Sequence, residues 1–120
     1  MKRDMDLVRS IVLAIEDAPS GYAPNPLAVE GRTEEEIAYH VHIMMQAGLV
    51  QGHDVTSMGD PSPQALASSL TWAGHEFADA SRDDKRWSKA KELAVTKAGS
   101  VTIEVLTKIL SSLMTSALGL

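Results

Sequence analysis

Cysteine is absent from this chain of 120 residues. That excludes a disulfide framework, a thiolate nucleophile and any Cys-based zinc site. Aromatic residues make up only 4% of the chain, so a core must be assembled from Leu, Ile, Val, Ala and Met. No run of 18 apolar residues occurs, and the most apolar stretch, 101–120, is interrupted by Glu104, Lys108 and several Ser and Thr residues. The opening MKRDMDLVRS mixes acids and bases too closely for the apolar core of a signal peptide. A soluble, cytoplasmic protein with no membrane partner is the expectation. Motifs that activate a hydroxyl or cradle a phosphate are also missing: there is no G-x-S-x-G and no glycine-rich loop. Neither catalytic residues nor a cofactor are therefore expected. His40 and His42 diverge on a helix, and only Glu36 with His40 has a chelating i, i+4 spacing, so no metal site is expected either.

What is present is an ordinary globular composition, 44% hydrophobic and 22% charged, in a length that suits one domain with an appendage. The net charge of −5 is unevenly spread. Residues 1–80 hold four bases and twelve acids, whereas 81–120 hold seven bases and four acids. Phosphate neutralisation drives nucleic-acid affinity, so the first part is poorly charged for it.

Apolar positions Leu7, Val8, Ile11, Val12, Ala14 and Ile15 recur at helical spacing after Asp4 or Asp6, either of which can cap the start. Pro19, Ser20 and Gly21 stop that helix, and residues 18–32 leave only Leu27–Val29 as a candidate strand. Thr33 and Glu36 form a capping box opening a second helix, with Ile37, Val41, Met44 and Met45 on one face and Gly48 ending it. A short strand at Leu49 and Val50, a loose insert from Gly52 to Ser69, and a strand near Leu70 follow. The PQALASSL part of the insert has a short helical turn as its alternative. Thr71 caps a third helix, the pattern restarts near Arg82–Asp84, and Ser100 or Thr102 begins a last apolar helix ending at Leu120. The predicted fold is mainly α with a small β-wing: a winged helix-turn-helix-like domain over 1–82 plus a C-terminal helical extension over 83–120.

The blocks MKRDMDLVR, EEIAYHVHIMMQAGLV and LTWAGHEFADASRDDKRW, with the closing helix after GS, together resemble a bacterial and prophage-associated domain-of-unknown-function family. The resemblance runs over nearly the whole chain, and its members look like variant winged helices followed by C-terminal helices. More distantly, AGLV followed by LTWAG looks like the strand–wing–helix passage of multiple-antibiotic-resistance-type repressors, a likeness of fold alone. One departure stands out. Only the Thr33–Ala47 helix precedes AGLV, and the proline-rich 18–32 stretch occupies the place of its helix-turn-helix partner.

Two interaction surfaces follow. As a DNA reader, the second helix would present Tyr39, His42 and Gln46 to bases and phosphates, although Glu34, Glu35 and Glu36 crowd its first turn. Arg82, Lys85, Arg86 and Lys89, with Trp87 placed to stack, make the better electrostatic candidate. Asp83, Asp84 and Glu92 are interleaved, so a plain solvated face competes with that reading. Along the last helix Ile103, Leu106, Leu110, Leu113 and Ala117 form a stripe suited to a homodimer, or to packing on the chain's own first helix. Function is expected to be non-enzymatic and regulatory: a DNA-associated transcriptional regulator, or a protein-binding adaptor that has lost DNA.

Overall fold

A computed structural model describes residues 1–119. The helices are α1 (Met5–Asp17), α2 (Glu34–Gln46), α3 (Trp72–Ser81), α4 (Asp84–Leu93) and α5 (Ile103–Ala117). The strands are β1 (Val50–Asp54) and β2 (Ala65–Leu70), which pair antiparallel. The protein is thus mainly helical with one two-stranded sheet. It divides into two compact units, Met1–Ala78 and Asp79–Leu120, the boundary falling inside α3. Leu120, expected in the last apolar stripe, lies outside the described residues.

In the first unit every helix start is set by a local cap. Asp4 accepts the N–H groups of Asp6 and Leu7 at α1, and Thr33 with Glu36 forms the expected capping box at α2. Gly48, at φ 75°, ends α2 in the left-handed conformation that residues with a Cβ avoid. The chain then reverses tightly. Leu49 N–H donates to Met44, Thr71 N–H donates to the Leu49 carbonyl, and the Thr71 hydroxyl donates to the Gly48 carbonyl while accepting Gly74 N–H. Gly74 is buried here, and a Cβ on it would collide with the Leu49 backbone oxygen. The core between α1, α2 and the sheet is built from Leu7, Ile11, Ile15, Val41, Met44 and Val50, all nearly inaccessible.

One polar side chain joins that core. His40 is 1% exposed, yet both its nitrogens are satisfied. Nε2 accepts Asp4 N–H at 2.9 Å, so Nδ1 carries the proton and donates to the Glu36 carbonyl at 2.8 Å. Above it Arg32 spans Asp4 at 2.8 Å and Glu36 at 3.5 Å, tying the start of α1 to the start of α2.

The sheet differs from expectation. Gly52–Ser69 is predicted as a loose loop with a helical-turn alternative, but β1 runs on to Asp54 and β2 begins at Ala65. Reciprocal bonds between Thr56 and Gln64 close the ribbon, and Ser57 with Asp60 ties its tip. Val50 faces Leu70 and Gln51 faces Ser69, but Gly52 faces Ala67, so Ser68 is an extra residue, a β-bulge. The bulge resets the alternation: Ala65 and Leu70 are both buried although five residues apart, and Leu66 is exposed. Leu27–Val29 is not a strand. The nearby Ala23 instead donates its N–H to the Ser68 carbonyl at 2.7 Å.

The second unit packs α5 on α4 and on a π-helical turn, Ala94–Ala98, that continues α4. Asp83 caps α4, and Thr102 caps α5 through Val105 N–H.

Two outcomes are expected. Gly74→Ala gains about 1 kcal/mol of helix propensity but forces two backbones apart, so urea denaturation should show a net loss of roughly 1–3 kcal/mol. The second concerns acid. Burial would raise the Asp4 carboxyl, but Arg32 and the Leu7 and Asp6 N–H groups outweigh it and hold it below its ordinary value. The Thr33 backbone, with Arg32 beyond it, lowers Glu36 against a smaller opposing desolvation. Depressed carboxyls contribute stability that is complete above their unfolded values and is lost as pH falls through the folded ones. The urea midpoint should hold from neutral pH to about 5 and then decline, with a shallower decline in Asp4→Asn.

Candidate functional site

The outer face of α2 and the ribbon form one connected surface. Glu35, Tyr39, His42 and Gln46 follow one another at steps of four, three and four, and so line one side of the helix. Two side-chain bonds fasten that side to the ribbon. Ser62 donates to Glu35 at 3.1 Å, and His42 Nε2 lies 3.3 Å from the Asp54 carboxylate. The carboxylate can only accept, so Nε2 carries a proton, and the buried Nδ1 has no hydrogen-bond partner among the described residues. Thr56 is the main cause, and His42 a lesser one, of an Asp54 carboxyl below its usual range.

These contacts revise the nucleic-acid candidates on α2. His42 is committed to Asp54 and is not free to meet a phosphate. Tyr39 is half-buried, its ring edge-on to His40 with centroids 5.7 Å apart. Gln46 remains exposed. The missed feature is charge. Between Thr33 and Ser81 there is no Lys or Arg, against seven acids: Glu34, Glu35, Glu36, Asp54, Asp60, Glu76 and Asp79. A count along 33–81, rather than over the whole first part, would have found it.

Beside this surface runs a groove of about 610 Å³ between residues 24–27, the first half of α2 and the ribbon. Ile37, Ala38, Val41 and Leu66 line it together with Glu34 and Glu35. Among the described residues Glu34 has no ion-pair partner. Other apolar side chains stand exposed on the same unit: Val55 and the fully exposed Met58 on the ribbon loop, and Trp72 at the start of α3.

In the second unit Lys85 and Lys89 are exposed one helical turn apart, and Arg86 is half-buried. Arg82 pairs with Asp79 at 3.0 Å, and Arg86 and Lys85 help hold Asp83 ionised after the Arg86 N–H that it accepts. Trp87 is 2% exposed with the Lys91 ammonium 5.9 Å from its ring centroid, so it is a core side chain and has no face to offer a base. The bases that flank it in sequence suggest stacking, but the side chain turns inward with Ala90 and Ala94. On α5, Leu106 and Leu110 are 0% exposed and are spent within the chain. Ile103 and Leu113 are half-buried and Ala117 is exposed. Val105, Ile109 and Leu113 border a groove of about 350 Å³ with Leu93, Lys97 and Lys108.

Both nitrogens of His40 are taken by backbone groups, which removes the Glu36–His40 pair. No three of His, Asp and Glu converge as a metal cluster among the described residues. No described helix is long and apolar enough to cross a membrane.

The fold and surface define a mainly helical protein with a small antiparallel ribbon and an acidic face on its first unit. The chain belongs to the family described as "Hypothetical protein (DUF2513)", whose model matches residues 2–100. This bears out the resemblance to a domain-of-unknown-function family. It is also 31% identical over 121 residues to an "Uncharacterized protein" of Haemophilus influenzae, with 98% of this chain and 99% of that one covered. No solved structure matches the chain.

The two tryptophans give a direct check on where an aromatic could stack. Trp72→Phe should leave an emission that acrylamide quenches several-fold less than it does the Trp87→Phe protein, whose remaining Trp72 is exposed. Equal quenching would mean that the Trp87 ring is open to solvent.

Proposed function

We propose that this chain is a non-enzymatic regulatory protein whose first unit is a winged-helix variant turned from DNA to protein. Its acidic α2–ribbon face would bind a basic partner surface. Support for the winged layout comes from the order α2, β1, ribbon loop, β2, α3, and from Ala23, which bonds to the edge of β2 where a third strand of a wing sheet would lie. The stretch 18–32 then stands for a strand and a vanished helix, in line with the prolines that fill it.

The observation that carries the protein-binding reading is the absence of Lys and Arg from Thr33 to Ser81. Duplex affinity rises with each phosphate neutralised, and a segment with seven acids and no base of its own supplies no cation for that. The ribbon tip, where a DNA reader needs cations, carries Val55, Met58 and Asp60. Exposed apolar side chains in a segment without bases fit a protein surface better than a phosphate backbone.

The DNA-associated regulator is the second reading, and it now rests on the exposed Lys85 and Lys89 with Arg86, without Trp87. Self-association would use the half-buried Val105, Ile109 and Leu113 border of α5 rather than Leu106 and Leu110. Bacterial or prophage context remains part of the proposal through the sequence blocks alone.

Chromatography separates the two readings. At about 50 mM salt, where phosphate-driven binding is strong, the protein should pass through heparin and mixed-duplex columns unretained. Retention that disappears in a Lys85→Glu, Arg86→Glu, Lys89→Glu variant would restore the DNA reading.

A further inference from the structure

The groove beside α2 has one charged wall and one apolar floor, and that asymmetry specifies an occupant. We propose that it holds a short extended segment of a partner polypeptide in which an apolar side chain is followed closely by Lys or Arg. This rests on the protein-binding reading and names the partner chemistry and its seat.

Size comes first. At about 610 Å³ the groove lies inside the range of natural ligand pockets. Here the acids stand together on the first turn of α2, the half-buried Ala38 and the exposed Leu66 offer hydrocarbon, and Asn25, Gln64 and Ser68 add amide and hydroxyl groups that can meet a peptide backbone. Such a layout suits a chain that passes through, with its apolar side chain down and its charge against the wall.

Charge comes second. Glu34 is exposed without an ion-pair partner among the described residues, and Glu35 is held at the ribbon end by Ser62. Among the described residues no Lys or Arg lines the groove. The α2 N-terminus contributes a positive partial charge of roughly half a unit, which two carboxylates outweigh. A cation is therefore favoured and an acidic segment is repelled.

Rigidity comes third. Pro24 and Pro26 line the groove, and their fixed backbone angles mean that little order must be created when a ligand enters. The bulge at Ser68 turns Leu66 outward into the groove while Leu70 stays in the core.

Fluorescence anisotropy on the full chain tests the proposal with two labelled peptides of about ten residues, one alternating leucine with arginine and one alternating leucine with glutamate. The leucine–arginine peptide should bind and the leucine–glutamate peptide should not. Glu34→Lys with Glu35→Lys should weaken binding about tenfold, the effect of opposing charges at a rim. Ala38→Phe, which fills the floor without changing charge, should weaken it comparably. Leu66→Thr, at an exposed position that does not endanger folding, should weaken it too and stands in if Ala38→Phe lowers the far-UV circular dichroism. Binding that is lost in the lysine variant but unchanged in both floor variants would be ion exchange on an acidic face. That result overturns the groove and leaves the protein-binding reading standing. No binding, or equal binding of both peptides, also overturns the groove. Retention on duplex DNA, by contrast, would bring down the reading beneath it.

Discussion

Two hydrogen bonds to one imidazole hold the first unit in order. His40 takes the N–H that begins α1 and returns its own proton to a carbonyl in the first turn of α2. Buried polar groups are costly when unmet and rigidifying when fully met, and this ring is fully met by backbone atoms that belong to two helices. Arg32 repeats the link at the surface by bridging Asp4 and Glu36. The pairing sets where α2 starts relative to α1. Everything mounted on α2 inherits that position, including the acidic turn, the His42–Asp54 contact to the ribbon and the floor of the groove.

The surface chemistry follows from how charge is distributed over the two units. The first has its cations at Lys2, Arg3, Arg9 and Arg32, none of them within the sequence of α2 or the ribbon, although Arg32 reaches Glu36. The second is basic on balance, but its cations sit among Asp79, Asp83 and Asp84 and are partly offset there. Exposed ion pairs of that kind add little stability, so they are better understood as shaping the field than as holding the fold.

Features set within a few residues were readable in the sequence. Asp4, the Thr33–Glu36 box, the Gly48 stop, the Thr71 cap and the break between α3 and α4 all have their causes inside one helical turn. Features set by distant residues were not. The ribbon was underestimated because ALASSL is a weak strand former and because the extra residue at Ser68 breaks its period. Trp87 and His42 were misjudged because what claims them, the core of one unit and Asp54 twelve residues on, leaves no local signature. The stripe on α5 was recognised as apolar, but sequence periodicity cannot say which of its members the chain keeps for itself. Of the candidate site, the acidic turn was apparent and the groove was not, since its walls come from three separate segments.

The extra residue in β2 gives the ribbon two independent phases. Its root follows the rhythm that anchors Leu70, and its tip follows the opposite rhythm that displays Leu66. Sequence drift at the tip can therefore exchange the displayed side chains without disturbing the root. Related chains can vary the side chains shown there while keeping the same scaffold, provided that the insertion between the two halves is retained.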